Sequence, residues 1–250
     1  MVNAALSIGA ATGVLLSAGF VYWEVGRYAA PQVPESRFDE RKEILAYTAG
    51  LFAGIPFVIP LLFLFQSIPL LEIGGIALYL GALVGGTEIA QWLLLRSRYF
   101  GGDGAGPFYA LGFRAGMGGI LALALMTQYF ALPTLEVPGL LAVLAACFGI
   151  VLLEGVGAIL ALPRRPVEPG RRGGPWSALP LEAVGFFMIG YTAGFGSWTG
   201  VAGGAVVAVG AAMLYRSLAP ESLARVSLTG REPSDASADE AERPFGRTDR

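Results

Sequence analysis

The chain has 250 residues, of which 54% are apolar and only 14% charged, with a mean hydropathy of +0.61. An ordinary soluble domain carries about 25% charged residues, so the composition excludes a soluble globular fold and points to an integral membrane protein. The net charge of −2, the single cysteine and the absence of histidine exclude a basic nucleic-acid surface, an internal disulfide or CxxC site, a His-ligated haem or zinc site and any Ser–His or Cys–His pair.

A helix needs about 20 mainly apolar residues to cross a bilayer, and seven such stretches can be read in chain order. Span 1 covers about residues 3–23. No basic residue precedes it, so it reads as a retained anchor and not as a cleavable signal peptide. It ends in Tyr22, Trp23, Glu24, Arg27 and Tyr28, aromatic and long charged groups suited to a membrane interface. Span 2, about 44–65, holds Pro56 and Pro60, which are expected to kink it. Span 3, about 71–95, carries Glu88, and span 4, about 107–130, carries Arg114. Span 5, about 138–162, holds Glu154 and the lone Cys147, which reads as a buried small hydrophobe. Residues 178–216 contain only Glu182 before the closing Arg216. One helix of that length would be about 58 Å long. The Gly-Phe-Gly-Ser-Trp-Thr-Gly run at 194–200 divides it into span 6, about 178–196, and span 7, about 199–216. The expected organisation is an all-α, seven-helix transmembrane domain over residues 1–217. A disordered cytoplasmic tail rich in Ser, Ala, Asp, Glu and Arg follows over 218–250.

Basic residues set the orientation. Arg27, Arg37, Arg41 and Lys42 follow span 1, Arg96 and Arg98 follow span 3, and Arg164, Arg165, Arg171 and Arg172 follow span 5. Arg216 and five more arginines follow span 7, while the turns after spans 2, 4 and 6 hold no Lys or Arg. The pattern places the N-terminus outside and the C-terminus in the cytoplasm, in a multi-pass protein of the cell membrane. The excess of arginine over the one lysine suits a GC-rich or salt-loving prokaryote.

Spans 2, 4 and 6 share an aromatic-x-x-Gly-x-x-Ala-Gly pattern: Tyr47, Gly50, Ala53, Gly54; Tyr109, Gly112, Ala115, Gly116; and Phe187, Gly190, Ala193, Gly194. Each set falls on one helix face. The glycine pairs form strips on which a neighbouring helix can lie closely. The pattern fits a helical hairpin used three times, in spans 2–3, 4–5 and 6–7, or chance recurrence in a chain with 36 glycines.

Glu88, Arg114 and Glu154 lie inside consecutive spans, each seven or eight residues, about 10–12 Å, from the cytoplasmic end. A charge at bilayer depth costs about 2.5–3.5 kcal/mol even on insertion scales, so the three are expected to face the bundle interior and pair. Gly81, Gly85, Glu88 and Trp92 share one stripe of span 3, and Cys147, Glu154, Gly157 and Ala158 share one of span 5, where small neighbours imply close helix contact. Arg114 points away from its own glycine strip. An uncompensated buried carboxylate tends to take up a proton. The cluster therefore reads either as a proton- or cation-coupling site or as a structural clamp. Glu24 and Glu182 read as solvated helix ends.

These features point to a small secondary transporter or permease using the Glu/Arg cluster. The alternative is a non-catalytic subunit or scaffold of a membrane complex. An enzyme is disfavoured, because the only lysine is in a loop and no metal or nucleophile constellation is present; a lysine-free last helix also excludes a retinal Schiff base. No cofactor is expected. The expected partners are the lipid bilayer and either further copies of the chain or a membrane-complex partner, and not nucleic acid.

Overall fold

The computed structural model describes residues 2–28, 38–67, 73–100, 105–131, 136–162, 178–193 and 198–228. Among these the chain is all-helical, with α1 (Val2–Tyr28), α2 (Glu40–Ser67), α3 (Ile73–Arg96), α4 (Gly106–Phe130), α5 (Val137–Leu160), α6 (Leu179–Ala193) and α7 (Trp198–Leu228). Six of the helices are long and apolar enough to cross a membrane, and α6 supplies a shorter apolar stretch, Leu179–Ile189. Large apolar side chains such as Leu15, Val206 and Met213 are exposed on the outside of the bundle. Such a surface is unusual for a soluble monomer and ordinary for one facing lipid.

Local chemistry sets the helix starts. The Asp39 carboxylate accepts a hydrogen bond from the Arg41 N–H at 2.9 Å, capping α2. Pro107 and Pro138 stand in the first turns of α4 and α5, where a missing N–H costs nothing. The Tyr129 hydroxyl donates to the Glu136 carbonyl at 2.5 Å and ties the end of α4 to the start of α5. α2 runs as one helix through Pro56 and Pro60.

α4 is the central helix, packed by α1, α2, α3 and α5, while α5 also packs on α6 and α7. The glycine strips explain the two closest contacts. A methyl at Gly50 would strike the Phe113 carbonyl, and one at Gly116 would strike the Tyr47 carbonyl. The strips of spans 2 and 4 are thus two sides of one contact. This explains their resemblance without requiring that each begin an equivalent hairpin: α2 lies chiefly on α4 and touches α3 only slightly among the described residues. α1 brings a Gly9/Gly13 strip of its own, against Thr127, Leu123 and Gly119. Gly194 and the surroundings of Gly190 lie outside the described residues, as does the turn between α6 and α7.

Two sequence expectations are corrected. Gly81 on α3 faces open space and Trp92 is exposed, so that stripe is packed only in its middle, around Glu88. Residues 218–228, expected in the disordered tail, continue α7, because Ala219 and Leu223 are fully buried against the core. The tail from 229 onward lies outside the described residues.

Candidate functional site

Arg114 stands two residues from Gly112 and from Gly116, so at about 100° per residue it points to the side of α4 opposite the α2 contact. There it meets α3, α5 and α6. Its Nε donates to Gln91 Oε1 at 2.6 Å. Its Nη1 donates to Glu154 Oε2 at 3.0 Å and to both Glu182 oxygens at 3.0 and 3.2 Å. Its Nη2 lies 3.2 Å from Glu88 Oε1, an ion pair without hydrogen-bond alignment. Gln91 in turn donates from Nε2 to the Ala158 carbonyl at 3.0 Å, fixing α3 to α5. All four charged side chains have no solvent exposure.

Glycines make the room. Gly118 of α4 lies against Glu154, where a methyl would come within 3.3 Å of Cγ. A methyl at Gly157 of α5 would overlap the Glu182 carboxylate and lie 3.3 Å from Arg114 Nη1. The expected trio Glu88, Arg114 and Glu154 is therefore brought together, with Cys147 buried lower on the same face of α5.

Two members escaped the sequence reading. Gln91 lies three residues after Glu88 on the same face of α3, a spacing that could have found it. Glu182 was placed at a solvated helix end, yet it is fully buried on Arg114. Glu24, placed at the same kind of end, is also buried, at 1% exposure. Glu43 of α2 is a further buried carboxylate; it faces Gly112, and neither oxygen has a hydrogen-bond partner.

Comparison with family models, with curated proteins and with solved structures found no match. What the site can do follows from the cluster's own charge balance. One guanidinium faces three carboxylates. Fully ionised, the group carries −2 with none of its side chains exposed to solvent. Both Glu88 oxygens and Glu154 Oε1 lack a hydrogen-bond partner. At about 2.5–3.5 kcal/mol per uncompensated charge, the two surplus charges would cost about 5–7 kcal/mol, comparable with a protein's whole stability of about 5–15 kcal/mol. A charge-balanced clamp would need one carboxylate, not three. Among the described residues no group of three or more His, Cys, Asp or Glu side chains is arranged to hold a metal ion, since the carboxylates converge on the guanidinium and not on a common centre.

Proposed function

We propose that the chain is a proton-coupled secondary transporter or permease of the cell membrane, with its N-terminus outside, whose coupling site is Arg114 with Glu88, Glu154 and Glu182. The surplus of carboxylates over the one buried guanidinium carries this reading: it obliges the site to bind protons if it is to stay in an apolar bundle. Glu88 is the natural exchanging group, because it makes one unaligned contact while Glu154 and Glu182 are hydrogen-bonded to Arg114. It also stands on α3, which packs less extensively than α4 or α5 among the described residues. That gives a proton on Glu88 a helix to release or dock. A scaffold role in a membrane complex is the second reading, favoured by the way Arg114 ties α3, α4, α5 and α6 together.

The test is an infrared pH titration of the reconstituted wild type, Glu88→Gln and Glu154→Gln, alongside thermal unfolding of each. The expected result is a titrating carboxylic-acid carbonyl band in the wild type that Glu88→Gln reduces while the fold survives. If the glutamine variants lower thermal stability and leave the titrating band unchanged, the cluster is a clamp and the scaffold reading stands.

A further inference from the structure

A second site lies away from the Arg114 cluster, in a groove of about 330 Å³ between α1 and α7 with Leu152 of α5 at its base. Its two ends differ chemically. One end holds Glu24 and Tyr215, both buried, with Arg27 and Arg216 exposed at the rim. The other end is apolar, walled by Val209 and Met213, which also face outward. Val209, Met213 and Arg216 lie at positions i, i+4 and i+7 on one face of α7, so the groove changes from apolar to charged over about 10 Å.

Glu24 and the Tyr215 hydroxyl face each other within hydrogen-bonding range, but Glu24 Oε2 makes no aligned hydrogen bond to any described residue. A buried acceptor left open in this way costs stability unless something donates to it. The Arg27 guanidinium is held over the Trp23 and Tyr28 rings, at 5.5 and 5.2 Å from their centroids, which places a fixed cation beside that acceptor.

We propose that this groove binds one phospholipid whose headgroup carries a hydrogen-bond donor beyond its phosphate. The phosphate meets Arg27 and Arg216, the terminal ammonium or hydroxyl donates to Glu24, and an acyl chain lies along Val209 and Met213. A bare phosphate would satisfy the arginines and leave Glu24 facing a like charge. A choline headgroup would bring a cation without an N–H donor. Ethanolamine and glycerol headgroups both carry such a donor, an ammonium and a hydroxyl, and the experiment separates them.

The full chain is placed in phosphatidylcholine nanodiscs doped with phosphatidylethanolamine or phosphatidylglycerol, extracted gently, and weighed by native mass spectrometry. The expected result is one retained lipid per chain, with the favoured donor-bearing headgroup held about tenfold over phosphatidylcholine, the worth of one charge-assisted hydrogen bond. Preference for the ethanolamine lipid identifies an ammonium donor, and preference for the glycerol lipid a hydroxyl. Glu24→Met removes the acceptor without leaving a buried charge and should abolish the preference; Tyr215→Phe, a milder change, should weaken it. The joint replacement Arg27→Gln and Arg216→Gln should lower retention of every lipid. Equal retention of all three lipids, no retention of any, or a preference that survives Glu24→Met in folded protein overturns the proposal.

Discussion

Alanine at Gly157 is the sharpest test of how the buried cluster is held. The added methyl would overlap the Glu182 carboxylate, which must then leave Arg114 Nη1. The lost contact is a buried charge-assisted hydrogen bond, worth about 1.5–3 kcal/mol. Alanine returns about 1 kcal/mol of helix propensity, so the net cost is about 0.5–2 kcal/mol. For a chain of this size that lowers Tm by about 1–8 °C. Cys147 provides the assay: it is the only cysteine in the chain and fully buried, so a thiol-reactive dye reports unfolding directly. Gly210→Ala is the control, because nothing lies within 4 Å of its added methyl; it should hold or raise Tm. In a Glu182→Ala background the Gly157 methyl has room, so the double-mutant cycle should show a coupling of about 1 kcal/mol or more. If Gly157→Ala and Gly210→Ala behave alike and the coupling is under about 0.5 kcal/mol, Glu182 is not seated against Gly157 and the four-group cluster is wrong.

Arg114→Gln leaves three buried carboxylates without their cation and should cost about 3–5 kcal/mol. Thermal unfolding should show a larger loss than for any single Glu→Gln change, and adding Glu88→Gln to Arg114→Gln should recover part of it. A loss under about 1 kcal/mol would mean the guanidinium does not hold these helices. Gly116→Leu drives a side chain into the backbone of α2 at Tyr47 and should cost about 1–3 kcal/mol or more as overpacking. Gly19→Leu on α1, where the added carbon meets open space, should leave Tm nearly unchanged. Similar Tm values for the two leucine variants would refute the α2–α4 contact.

Hydropathy and glycine spacing made much of this architecture readable. Seven apolar stretches separated by turn and charge signals gave seven helices whose ends mostly fall within a few residues of the expected ones, because apolar length is a one-dimensional property. The convergence of Glu88, Arg114 and Glu154 was readable for the same reason: a buried charge has few stable environments, and three at similar depth have a shared one. The partner of each glycine strip was not readable. Gly50 and Gly112 announce a close approach but carry no label for the helix that makes it, and the recurrence invited a repeat where the structure has a mutual contact. Gln91 was missed because an uncharged amide costs less to bury than an ion and leaves a weaker mark in composition.

The errors at Glu182 and in the tail have one physical cause. Gly157 meets Glu182, Gly185 meets Leu153 and Gly149 meets Ile189, so α5 and α6 run antiparallel, with the start of α6 level with the end of α5. Gly118 meets Glu154 on the other side, which sets the end of α5 near residue 112 of α4. α4 begins at Gly106, so it projects about six residues, roughly 9 Å, past the end of α5. Phe108, Tyr109 and Leu111 on that projection join Ala219 and Leu223 from the extended α7, together with Ala46 and Phe100, in one buried core. Val156, Ala158 and Ile159 at the end of α5 belong to the same core. A charge in the first turn of a membrane helix is solvated only if that turn meets water; Glu182 stands level with the buried end of α5 and meets Arg114 instead, and the helical extension of α7 past residue 217 belongs to the core that buries that end.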